Sequence, residues 1–528
     1  MKKYVIQGSS VLAGVAAGAL LMTGAVPVVA QMAPTPTPTP VPSPSPSPSP
    51  TPTPTPPLSA PGAPAATTAA PATTDCPAGA TNCSLIEQDG TNLEANISQT
   101  GTGNVSDVDQ INGSVGTSGD VEVDVVQSGN DNSSYVLQSS SGIAGFETIA
   151  DVDQVGDGAS SVIRQENTRN HRAVVTQDGA STSFISQSAG QSATAEVRQE
   201  GDDNDSVIFQ QGAILFGVGN GNPANADGVT QIGSLNNSEI YQGDFSGGAL
   251  TEGQRARVDQ EGDRNDSFIS QTLVRTLNGS QNVNVDQEGD DNISSVIQTG
   301  FRAGQDVNVT QSGSDNLSRI VQNDEDNTGG GNQVTVDQTN DGNDAFVDQS
   351  SGQGLVEITQ ISTNTSGVVT GISRNRGLLS GSDTVRANFA FVQQSFGGVT
   401  EATIFQDGFG NRALVDQANI ALDPSDANIN QYGLFNNSES LHDGDGTVNV
   451  DQGTMGDDAS RNSSLVDQSG FGNLADVDQT GDDNLSDIIQ NAGSADNQAL
   501  VTQAGIFDVS MIEQSGSNNI ATVNQGTP

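Results

Sequence analysis

The sequence contains no tryptophan, four tyrosines, two cysteines and two histidines in 528 residues. Its only lysines, Lys2 and Lys3, lie at the extreme N-terminus, so every later positive charge is an arginine. Each shortage excludes something. With few large aromatics and only 33% hydrophobic residues, the chain cannot fill a wide globular core. It is either disordered or built as a thin, repeating structure. A formal net charge of −47 repels nucleic acid and anionic lipid headgroups. His171 and His442 have no motif around them, so acid–base and nucleophilic catalysis lack candidates, and we assign no catalytic residue. Aspartate is plentiful, but carboxylates that recur on every repeat describe a surface, whereas a glycosidase needs one special cleft. Cys76 and Cys83 have no company of further Cys or His that would make a metal site. An oxidising compartment allows the two to pair. No cofactor is expected. Gly-Asp-Asp-Asn turns cluster oxygen atoms, yet the calcium-binding nonapeptide of β-rolls is absent, so loose screening by divalent cations is expected rather than a defined metal site.

What is present divides the chain into four parts. Residues 1–30 read as a signal peptide, with a charged start, a small-residue apolar stretch from Val11 to Met22 and an expected cleavage after Val28-Val29-Ala30. No later run is long and apolar enough for a membrane span after that cleavage. Residues 31–75 are a Pro/Ser/Thr-rich disordered linker, whose Pro34–Pro57 stretch favours polyproline II. Residues 76–87 form a short entry segment containing both cysteines. Residues 88–528 carry one recurring pattern.

That pattern is Gln-x-Gly-x-x-Asn-x-x-x-x-x-Gln, with clear copies starting at Gln99, Gln127, Gln199, Gln260, Gln287, Gln311, Gln468, Gln479 and Gln514, among others. The flanks alternate as strands do. Val283, Val285 and Gln287 share one face, and Asn292, Ser294, Val296 and Gln298 share the next. Glycine and aspartate between them are turn residues. The fold class is therefore all-β: a β-solenoid of stacked strand–turn–strand repeats with Gln and Asn ladders in a thin core. Stacked at the strand spacing of about 4.8 Å, each inward amide lies over its neighbour, donating and accepting in turn. The expected Gln ladder comprises Gln99, Gln110, Gln127, Gln138, Gln199, Gln210, Gln260, Gln271, Gln287, Gln298, Gln311, Gln322, Gln468, Gln479, Gln490, Gln514 and Gln525. The expected Asn ladder comprises Asn104, Asn132, Asn204, Asn265, Asn292, Asn316, Asn473, Asn484 and Asn519. Residues 361–393 break the rhythm, although Leu378–Leu379 and Phe389-x-Phe391 still suggest strands; a degenerate stretch of the solenoid or a small inserted domain would both fit. The last copy, Gln514 to Gln525, runs almost to the C-terminus with no evident cap, and an open strand edge is a template for another molecule.

The repeat resembles the curlin repeat of curli fibre subunits over about residues 88–525. The resemblance implies export to the cell surface and polymerisation as a functional amyloid that serves adhesion and biofilm matrix. It also implies the partners: other copies of the chain in a homopolymer fibre, a nucleator subunit and an outer-membrane secretion pore. The uneven loops and the Pro-rich linker depart from that family's pattern. The expected function is a secreted structural subunit of a curli-like fibre; the alternative is a monomeric β-solenoid adhesin displayed on a Pro-rich stalk.

Overall fold

The computed structural model describes residues 81–112, 121–140, 147–169, 171–191, 193–211, 228–244, 254–273, 281–300, 304–324, 331–350, 353–362, 388–395, 399–418, 424–454 and 461–526. The signal peptide, the linker and Cys76 fall outside them. The described residues form 32 strands and no helix. Every strand pairing is parallel, and strands pair mainly with the one two places further along the chain. Two strands therefore make one turn, and the turns stack into a β-solenoid with two facing sheets.

The alternating sequence sets the sheets. In Gln281–Glu288 the buried residues are Gln281, Val283, Val285 and Gln287, with Asn282, Asn284 and Asp286 between them facing outward. That strand stacks Val283 on Ala256 and Val307, Val285 on Val258 and Val309, and Gln287 on Gln260 and Gln311. The first sheet consists of such strands, ending at Gln99, Gln127, Gln260, Gln287 and their equivalents. The second sheet consists of the strands that end at Gln110, Gln138, Gln271, Gln298 and their equivalents. Between the sheets lie columns of Val, Ile and Ala in the first and of Ser or Ala with Ile or Val, broken at Ser440, in the second. Each buried Val or Ile contributes about 1.5–3 kcal/mol, against about 1–2 kcal/mol of backbone entropy for every ordered residue. So narrow a core leaves little margin, and its buried amides must be fully bonded.

The corner between the sheets explains the conserved spacing of Gly and Asn within the chain. Gly289 has φ +111°, and a Cβ there would lie 2.1 Å from the carbonyl oxygen of Gly313 in the next turn. Only glycine fits where one corner passes that close beneath another. Two residues later the chain takes the left-handed conformation at Asp291, Asp315 or Leu235, and the inward Asn follows.

The irregular stretch does not interrupt the stack. Its described ends lie within the strands Gln353–Ser362 and Asn388–Ser395, the latter carrying Phe389 and Phe391. Gln349 bonds Gln394, and Gln360 bonds Gln406, each at 2.8 Å. Leu378 and Leu379 lie outside the described residues.

Candidate functional site

The chemistry-bearing residues of this protein are its ladders and the two ends of the described stack. Gln287 shows the unit. Its Nε2 donates to Oε1 of Gln311 at 2.8 Å and to the carbonyl oxygen of Asp266 in the opposite sheet at 3.2 Å. Its Oε1 accepts from Nε2 of Gln260 at 2.8 Å. The amide is thus satisfied on both sides, and its burial costs little. The same donation runs from Gln99 to Gln127, from Gln199 to Gln231, and from Gln479 to Gln503 and on to Gln525 in the first sheet. In the second sheet it runs from Gln88 to Gln110 and Gln138, from Gln271 to Gln298 and Gln322, and from Gln468 to Gln490 and Gln514. Gln210 lies in that column between Gln187 and Gln242. Every one of these bonds points from the earlier turn to the later one, so both columns are polar along the stack.

Each corner Asn works differently. Asn292 Oδ1 accepts from the backbone N–H of Asn316 at 3.2 Å, while its Nδ2 donates to the carbonyl oxygen of Gly313 at 2.8 Å. The side chain ties its own corner to both parts of the next. Asn104, Asn132, Asn204, Asn265, Asn316 and Asn484 occupy this corner. The structure places Asn473 and Asn519 in the opposite corner, linked through Asn497: Asn497 N–H donates to Asn473 Oδ1 at 3.1 Å and Asn519 N–H to Asn497 Oδ1 at 2.9 Å. Correspondingly, the copies from Gln468 and Gln514 run from the second sheet to the first, opposite to the copy from Gln287. In the opposite corner lies a third glutamine ladder that the Gln-x-Gly-x-x-Asn pattern does not contain, Gln254 to Gln281 at 3.0 Å and Gln281 to Gln305. Its signal was present as a Gln six positions before the ladder Gln, at Gln254/Gln260, Gln281/Gln287 and Gln305/Gln311.

One position departs from the second column. His442 stacks between Gln417 and Gln468. Its Nδ1 lies 2.8 Å from Ser425 Oγ, and its Nε2 has no hydrogen-bond partner. Gln468 Oε1, which Gln at 442 would serve, is likewise unpartnered. Burial pushes the His442 imidazole down to about 4. In the same turn Ser440 stands where its neighbours are Val415 and Val466, and its hydroxyl is buried without a partner.

Carboxylates line the outer surface in columns. Desolvation, then the nearby Asp259, raises the Asp286 carboxyl, and desolvation, then Asp451 and Asp476, raises that of Asp478. Among the described residues no group of three or more His, Cys, Asp or Glu is placed to hold a metal ion. Cys83 is disulfide-bonded; Cys76, the only other cysteine in the chain, lies outside the described residues.

The ends differ from the middle. In the last strand, Ile520–Gln525, no residue is fully buried, and Leu93–Thr102 at the other end is equally open. The model of the curlin associated repeat matches residues 460–491. The chain resembles the curlin-repeat family. The matched segment contributes Gln468, Gln479 and Gln490 to the same curlin-like columns that run through the rest of the solenoid. No curated protein matches the chain.

Proposed function

We propose that this chain is a secreted, non-catalytic structural subunit that polymerises end to end into an extracellular curli-like fibre serving adhesion and biofilm matrix. The observation that carries the reading is the complementarity of the two open ends. Among the described residues, no turn donates to the Oε1 atoms of Gln88 and Gln99 at the start of the stack, and Gln514 and Gln525 at its other end donate to no further Gln. Laying residues 509–514 on residues 83–88 of another copy, and residues 520–525 on residues 94–99, continues both columns in the same donor-to-acceptor direction. It also covers the half-exposed Ala521 and Val523. In this reading the partner is the chain itself, joined at the surface by a nucleator and exported through a pore, and loosely held divalent cations screen the aspartate columns.

The test uses residues 31–528 at several concentrations, with and without preformed seeds, followed by thioflavin fluorescence and electron microscopy. Seeded, unbranched fibres with a reflection at about 4.8 Å are expected. A folded rod that stays monomeric at every concentration overturns polymerisation and turns the reading to a stalked surface adhesin.

A further inference from the structure

Stacking requires the same inward residues in both sheets, and it leaves the outward faces free to differ. They differ strongly. On each strand the third residue before the ladder Gln occupies the middle of the outward face. In the second sheet this row includes Tyr135, Phe184, Phe268, Phe346, Phe391 and Leu414. In the first sheet the same row reads Asp124, Asp151, Asn284, Asn308, Asn428 and Asp476. The apolar residues already pack along the axis. Ring centroids lie 6.2 Å apart for Phe209 and Tyr241, 5.8 Å for Tyr241 and Phe268, and 5.6 Å for Phe346 and Phe389. Val162, Phe184 and Val207 form a buried cluster with Tyr135 against it. The first sheet instead bonds polar groups along its outer surface, Asn284 to Asn308 at 2.8 Å and Asn430 to Asp451 at 2.7 Å.

We propose that the outward face of the second sheet pairs with the same face of a second copy, so that two solenoids lie side by side with their polar first sheets outward. Three features select a second copy. An apolar row repeating at the strand spacing is best matched by a partner with that same spacing, and another copy has it by construction. The carboxylates of Asp124, Asp151 and Asp476 in the otherwise polar first-sheet row make contact between two first-sheet faces repulsive and leave the largely apolar second-sheet row for self-association. The area also suffices. A six-residue strand is about 20 Å long, and strands stack at about 4.8 Å. Roughly nine turns then supply the ~800 Å² per partner of a standard interface, and 32 described strands at two per turn exceed that. Asp107, Glu239, Arg319, Glu439 and Asp487 interrupt the row, and because four of the five are acidic, pairing strengthens as added salt shortens the Debye length. The inference does not rest on fibre growth, because side-by-side pairing uses a different surface from the ends.

The experiment is sedimentation velocity of the full chain as exported at about 0.05 M and about 0.5 M salt, with mass per unit length measured on any fibres that form. A second-sheet variant, Phe268→Glu/Phe346→Glu/Phe391→Glu, is compared with a first-sheet variant of equal charge, Thr335→Glu/Thr403→Glu/Asn428→Glu. The expected result is a doubled mass, or two chains per axial repeat, that increases with salt, is lost in the second-sheet variant and persists in the first-sheet variant. Circular dichroism checks folding, and a Ser triple at the same three positions replaces the Glu triple if that one misfolds. One chain per cross-section at both salts overturns the pairing even where fibres grow. Equal behaviour of the two variants, or a monomer that binds lipid vesicles through this face, overturns it as well.

Discussion

At the scale of the residue, the ladders turn buried amides from a liability into a register device. Gln287→Leu would leave Gln260 Nε2 without its acceptor and Gln311 Oε1 without its donor. Stripping partners from two buried polar groups costs about 1–3 kcal/mol each, so urea denaturation should show a loss of about 2–6 kcal/mol. His442 is the natural counterpart of that defect. With its folded pKa lowered to about 4 and an unfolded value of about 6.5, the unfolded state takes up the proton first as pH falls. The neutral-histidine contribution is whole above about pH 6.5, declines from there to about pH 4, and is fully lost below it, by about 3 kcal/mol. The raised carboxyls of Asp286 and Asp478 act in the opposite sense, since their protonation favours the native state. The measurement is therefore a difference: His442→Gln minus wild type across pH 4 to 7. The expected gain from the variant grows as pH falls; a flat difference would refute the assignment. Leu235 supplies a third case. It holds φ +61° while half-exposed at a corner, and left-handed backbone costs a residue with a Cβ about 1 kcal/mol. Leu235→Gly should raise the melting temperature by about one degree.

At the scale of the element, one turn is a unit that contacts only its neighbours, so stability is close to a sum over turns. Deleting residues 282–305 joins Gln281 to Asp306, in the position that Gln305 holds, and lets the turn before stack on the turn after. The expected product is a folded solenoid with its strand signal in circular dichroism intact and a modestly lower melting point. Deleting residues 289–300 removes only one strand and its corner, and exchanges the sheets for everything downstream. That variant should lose cooperative unfolding. The intervals outside the described residues follow the same logic: 113–120, 141–146, 212–227, 245–253 and 274–280 all fall on the return from the second sheet to the first. Insertions there leave both Gln columns in register, as Gln210 to Gln242 at 2.9 Å shows across the interval 212–227. The intervals 363–387 and 455–460 fall instead on the corner that carries Gly289 and Asn292, where in the regular turns both residues bond or abut the next turn.

At the scale of the whole molecule, two directions are encoded separately. Along the described stack, the Gln columns all point one way; across it, a largely apolar and a polar outer row make the sides unequal. The repeat class, the inward set Val, Gln, Asn, Ser and Val or Ile, and the turn residues were legible in the sequence, because a strand's two-residue period prints burial directly onto the chain. Gln287, Val285 and Asn292 needed no coordinates to be placed inside. Three matters needed the tertiary structure. Which sheet each glutamine joins depends on how many strands precede it, so Gln468 and Gln479, eleven positions apart like any other pair, fell into one apparent series although they belong to opposite sheets. That the break between Gln360 and Gln406 leaves the stack whole depends on the two ends meeting across a gap in sequence, a distance no local pattern contains. The contrast between Phe268 and Asn284 emerges only when outward residues from distant repeats are brought side by side by sheet. The sequence alone determined what each repeat buries, since that is a property of one strand and its period. The tertiary structure decided which repeats become neighbours and what surface they then present, since those are properties of stacking across turns.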